Sequence, residues 1–194
     1  MPLLPIAVSL ALAGAALLIL RPIRPTQAAL DQVAATTNPR LADTAQRLYT
    51  EAVSLQSAAA QRLGLDNRPT AEADANLQRL IATVVAPLQD AVAPARLRIS
   101  SAYRSPEVNA AVGGVKSSDH MRGEAVDVKV EGQTAAQTLA VVLRLRLPVR
   151  QAIVYAPAAG GHLHIGLGDG RSAPQTLFKA TSASRTVPWT GQVG

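Results

Sequence analysis

At Pro94 the period of the hydrophobic pattern changes, and that change limits the folds open to this chain. Before it, apolar residues recur every three or four positions. Leu41, Ala45, Leu48, Ala52 and Leu55 form one stripe of a helix that Asn38 and Pro39 open and Gly64 stops. Leu77, Leu80, Ile81, Val84, Val85 and Leu88 form the apolar face of a second helix, from about Thr70 to Val92, which Pro87 should kink. After Pro94 the texture is that of short strands: "LRIS", "EAVDVKV", "QAIVY" and "HLHIGL". Between them lie a short helix opened by Ser105 and Pro106 and a longer one capped by Thr134. This order predicts an α+β fold: a small antiparallel sheet with flanking helices on one side, preceded by an added helical hairpin. The tail from Asp169 has little periodicity, and no internal repeat is present.

The first residues are of a different kind. "LLPIAVSLALAGAALLIL", residues 3–20, carries no charge. As a helix it would be about 27 Å long, close to the thickness of a bilayer core. Arg21 and Arg24 follow it, and Pro22 and Pro25 break it. Three readings stand: an uncleaved membrane anchor, a signal peptide cut near "TQAA", or a hydrophobic helix buried in an assembly. No Lys or Arg precedes the run, which disfavours a signal peptide. Arginines that follow it would leave the bulk of the chain in the cytoplasm. The chain thus divides into a hydrophobic anchor or signal segment (1–25), a helical region (26–94), a core (95–170) and a tail (171–194).

Composition narrows the chemistry. There is no cysteine among the 194 residues, so disulfides and thiolate metal sites are excluded. Any metal must be held by His, Asp or Glu. Aromatic residues are only 3%, which leaves the packing to alanine, valine and leucine. The net charge of +6 favours anionic partners such as nucleic acid, lipid headgroups or cell-wall polymer. Scattered arginines with so few aromatics argue against nucleic acid.

The chain has three histidines, and their placement is informative. His120 falls in a loop seven residues before Asp127, which lies on a predicted strand. His162 and His164 are two apart on another strand, so both point to one face, about 6–7 Å apart. Two histidines with one aspartate make a three-ligand zinc site whose fourth position is open to water. A hydrolase needs that open position, because zinc makes bound water acidic enough to attack at neutral pH.

"SDHMRGEAVD" followed by "HLH" resembles the zinc peptidases of the M15 group: D-alanyl-D-alanine carboxypeptidases and related cell-wall peptidases, including many phage endolysins. The group's pattern, Ser-x-His-x-x-Gly-x-Ala-x-Asp and then His-x-His, is met by Ser118, His120, Gly123, Ala125, Asp127, His162 and His164. "SAYRSPEVNAAVGG" is similar to the group's Tyr-Arg-Ser-Pro segment. The resemblance spans about residues 97–168. It implies that His120, Asp127 and His164 hold zinc and that His162 is the proton shuttle or stabilises the tetrahedral intermediate. It also implies that Arg104 holds a substrate carboxylate or carbonyl through its forked donors, and that Ser118 contacts substrate. Some relatives carry a glutamate base three residues before the last histidine ligand; here that residue is Gly161. Either His162 covers the role or catalysis is impaired. Glu124 sits three residues from Asp127 on the predicted strand and should face away from it.

Taken singly, each residue has a plainer reading. His120 could be an exposed loop histidine, His162 and His164 an exposed strand face, and Arg104 a turn residue paired with Glu107. Tyr103 and Tyr155 read as packing residues. Asp127 resists such a reading, because a buried strand aspartate needs a partner. The expected activity is zinc-dependent hydrolysis of peptidoglycan peptide bonds, at D-Ala-D-Ala termini or cross-bridges. The alternative is a non-catalytic or weakly catalytic cell-wall-binding or virion structural module that keeps the zinc site. A third reading, a membrane scaffold with an incidental domain, needs no metal. The expected setting is membrane-anchored, periplasmic or cell-envelope, or phage virion-associated with virion or lysis partners.

Overall fold

A computed structural model describes residues 38–54, 58–168, 176–182 and 185–188. The apolar run at 3–20 lies outside them. Among the described residues no helix is long and apolar enough to cross a membrane.

Helix α1 (Pro39–Ser54) is followed by the short α2 (Ala58–Leu63) and by α3 (Ala71–Leu80), whose first turn is capped by the Thr70 hydroxyl accepting from the Ala73 N–H. α3 continues without a break through a wide π turn (Ile81–Val85) into α4 (Ala86–Val92). Pro87 accounts for the wide turn. Its ring would clash with the carbonyl four residues back, and it has no N–H to offer. The Ala86 N–H instead reaches the Ile81 carbonyl, five residues back, so the expected kink appears as a π turn.

The strands are β1 (Leu97–Ser101), β2 (Ala125–Val130), β3 (Val149–Tyr155), β4 (Leu163–Leu167), β5 (Thr176–Ser182) and β6 (Arg185–Pro188). Helix α5 (Pro106–Ala111) follows β1. Helix α6 (Ala135–Arg144), held by a capping box of Thr134 and Gln137, joins β2 to β3. The sheet runs in the order β1-β2-β4-β3-β5-β6. Its first four strands are antiparallel, as expected. The sheet as a whole is not: β5 runs parallel to β3, and β6 returns antiparallel to β5. These last two strands come from the tail, whose weak alternation had predicted none.

One sheet face is apolar. Val126, Val128, Ala152, Val154, Leu163 and Ile165 lie in a single buried cluster with Leu48 and Ala52 of α1 and Leu77, Leu80, Val84 and Leu88 of the long helix. The N-terminal helices are therefore not an added hairpin; they complete the sheet's own core. The opposite face holds a row of four register partners, Ser101, Asp127, His164 and Ile153, on four adjacent strands.

Candidate metal centre

Asp127 is the hub of that row. Its Oδ1 lies 2.8 Å from His164 Nδ1, 3.4 Å from His120 Nε2 and 3.9 Å from His162 Nε2. Its Oδ2 accepts from an Arg104 terminal nitrogen at 3.1 Å. His120, Asp127 and His164 are all buried, and each offers a ligand atom within 4.8 Å of the others. His120 rides on a one-turn helix, Asp119–Arg122, that ends at Gly123. Gly123 has φ of +68°, and a Cβ there would meet the Ala73 carbonyl oxygen at 1.9 Å. Only glycine lets this turn close against α3.

The hydrogen bonds fix the state of His120. Its Nδ1 lies 2.6 Å from the Ala102 carbonyl, which can only accept, so Nδ1 carries the ring proton. In the neutral ring, Nε2 is then an acceptor that faces the Asp127 carboxylate. Such a facing pair is joined either by a second ring proton or by a metal cation. Ligands of a tetrahedral zinc stand ~3.3 Å apart, given bonds of ~2.0–2.1 Å. The 3.4 Å between Nε2 and Oδ1 fits that spacing. The shorter 2.8 Å contact of His164 holds a proton that metal binding would displace.

Burial pushes the His120 imidazole below its ordinary pKa, against the pull of Asp127; Arg104 and His164 lower it further. Burial also opposes the charge on Asp127. The charges and hydrogen bonds of His120 and His164 outweigh it and hold the carboxyl well below the usual carboxylate range. Burial thus disfavours the charged form of the His120 imidazole while Asp127 stays ionised, and a neutral ring and a carboxylate are the ligating forms of these two side chains.

Arg104, Ser118, Tyr155 and His162 line a cleft of about 690 Å³ around this cluster, within the usual range of ligand-binding clefts. His162 sits just before β4, half-buried. Tyr155 stacks on its ring at 4.2 Å between centroids, with the planes 13° apart. Tyr155 is a packing residue, as its sequence reading has it, but what it packs is the candidate shuttle. Burial lowers the His162 pKa too, with Asp127 opposing and His164 and Lys129 adding to the shift. Gly161, where some relatives place glutamate, has φ of +55°, so the turn into β4 is built on glycine. Glu124 pairs with Arg122 at 2.8 Å and does not line the cleft. Ser118 lines the cleft, and its hydroxyl has no partner among the described residues.

Arg104 is less free than its sequence role implies. Two of its nitrogens donate to Ser101 Oγ at 3.0 and 2.8 Å, and one of these also holds Asp127. The third has no hydrogen-bond partner among the described residues, and Arg104 lines the cleft. The Ala102 carbonyl and the Ser101 hydroxyl escaped the sequence reading. One is a backbone atom, and the other is an ordinary serine until the β1–β2 register places it beside Asp127.

The family model described as Peptidase M15 matches residues 46–165, well over half of the chain. No curated protein matches. The matched region begins inside α1, some fifty residues before the segment that carries the motifs. The two N-terminal helices, expected to fall outside the resemblance, lie mostly within it.

Proposed function

Because the chain belongs to the M15 peptidase family, we propose that it is a zinc-dependent peptidase that hydrolyses peptide bonds of peptidoglycan, at D-Ala-D-Ala termini or in cross-bridges. The observation that carries this reading is the buried His120–Asp127–His164 cluster in an open cleft, with facing acceptors at zinc-like spacing. Zinc, when bound there, supplies Lewis-acid polarisation of the scissile carbonyl and a supply of nucleophilic water.

The chain's own residues do the rest. Ala102 and Asp127 orient the His120 ring, and Arg104 anchors Asp127 from behind. The free edge of Arg104 and the Ser118 hydroxyl hold substrate oxygen atoms. His162, steadied by Tyr155, takes the proton from the attacking water and returns one to the leaving amine. A zymogram against purified cell wall tests this. Clearing that chelator abolishes and zinc restores is the expected result; wall binding without clearing would support the second reading. That reading, a wall-binding or virion module that cleaves weakly or not at all, is favoured by one observation: no acid occupies position 161.

Arg104→Lys keeps the charge and loses the fork that spans Ser101 and Asp127. Activity should fall by about 10–100-fold, the usual cost of losing such an outer-shell partner, with zinc content unchanged when zinc is in excess. Full activity in Arg104→Lys would remove this role.

The run at 3–20 is proposed to carry the full-length protein into the membrane fraction. A chain shortened to begin near Ala28 should be soluble and active, because every site residue lies beyond residue 100. Fractionation of both forms checks this. Full-length protein that stays in solution without detergent or a partner argues against an anchor.

A further inference from the structure

The cleft holds a second guanidinium that the metal centre does not use. Between Val149, opposite Leu167, and Gln151, opposite Gly166, the pairing of β3 with β4 slips by one residue. Arg150 is the extra residue of this bulge. Regular alternation would send its side chain to the face of Ala152 and Val154, which are buried in the core. A bulge re-aims a side chain, and Arg150 instead lines the cleft with Gln151, Ile153 and Tyr155.

The arginine is held in place there. Asp119, the residue before His120, accepts from Arg150 through Oδ2 and from Arg122 through Oδ1. The Asp119 side chain is only 11% exposed, whereas that of Arg150 is 40% exposed. One nitrogen of Arg150 is thus fixed by a mostly buried carboxylate. The rest of the guanidinium has no partner among the described residues, and neither has the Gln151 amide beside it. Asp119 shares its charge with Arg122, so it positions Arg150 without saturating it. Gly166 and Leu167 are two and three residues from His164 along β4, so the bulge lies about 7–10 Å from the ligand cluster.

We propose that Arg150, with Gln151, forms a subsite for a carboxylate on the peptide substrate, two to three residues from the bond that is cut. The planar fork of arginine suits a carboxylate, and an extended peptide covers that distance in two or three residues. The inference rests on the peptidase reading for its substrate class, and binding tests it without cleavage.

The probes are two forms of γ-D-Glu-L-Lys-D-Ala-D-Ala in which an aminomethylene link replaces the last peptide bond. One keeps the glutamate α-carboxylate free and the other has it amidated. Calorimetry on the full-length, zinc-loaded protein should show the acid binding about 10–100-fold more tightly than the amide. In Arg150→Gln the ratio should fall to about one through loss of affinity for the acid, with zinc content unchanged. Arg150→Lys should restore part of the preference, which a purely structural ion pair would not do. Equal binding of the two peptides by the wild type, or an undiminished preference in Arg150→Gln, overturns the subsite. Cleavage of the ordinary peptide is read separately. A wild type that shows the acid preference but neither cleaves this peptide nor clears purified cell wall would overturn the peptidase reading and leave the subsite standing.

Discussion

Asp127→Asn should leave a folded protein that holds no zinc and clears no cell wall. Asparagine has the same shape, and its side-chain oxygen can still accept from His164 Nδ1, which lies 2.8 Å from Asp127 Oδ1. The charge is what it loses. A neutral amide is a poor ligand for zinc, and it no longer balances the Arg104 guanidinium 3.1 Å from Oδ2. Two interactions that favour a cation at this point are thereby weakened at once. Zinc content should drop from about one per chain to nearly none, and activity with it. A second readout separates this from misfolding. Zinc should raise the melting temperature of the wild type, because a ligand that binds only the native state stabilises it, and should leave that of Asp127→Asn unmoved. If the variant purifies with a full complement of zinc, Asp127 is not a ligand, and the centre described above is wrongly drawn.

The grouping of His120, Asp127 and His164 was implied by the M15 resemblance, and only part of it has a physical reason in the sequence itself. A strand sends residues two apart to one face, so His162 and His164 had to be neighbours on one side of the sheet. A strand aspartate with no partner in its own segment had to find one elsewhere. What the sequence could not show is which residues from other strands close the site. Ser101 and Ile153 join the row only through the pairing register, and Arg150 reaches the cleft only because β3 bulges. Strands β5 and β6 were missed because their stability comes from pairing with β3 and with each other, which leaves little trace in local alternation. The N-terminal helices seemed separate because apolar stripes occur on any core-facing helix. Leu48 and Leu77 are buried in the same cluster as Val126 and Ile165, and only the packed structure reveals that shared core.

The contrast between His162 and His164 is the sharpest test of mechanism. The two side chains are two residues apart, yet they stand differently toward Asp127. His164 Nδ1 is in direct contact with Oδ1, whereas His162 Nε2 is 3.9 Å away and its ring is stacked against Tyr155. On the proposed reading His164 ligates the metal, and His162 borders it without binding. Histidine is also the side chain whose ordinary pKa lies nearest neutrality, and position 161, where some relatives carry an acid, is glycine. Proton transfer by a positioned group contributes typically ~10²–10⁴-fold to rate. His162→Ala should therefore keep its zinc and lose activity by about that factor, while His164→Ala should lose both. Metal analysis beside turnover of a D-Ala-D-Ala peptide gives the comparison. Loss of zinc from His162→Ala with retention in His164→Ala would exchange the two roles. Full zinc together with full activity in His162→Ala would place the proton carrier elsewhere. Tyr155, stacked on the same ring, supplies the internal control. Tyr155→Phe keeps the stacking surface and should stay close to wild type, whereas Tyr155→Ala frees the His162 ring and should lower turnover without releasing zinc.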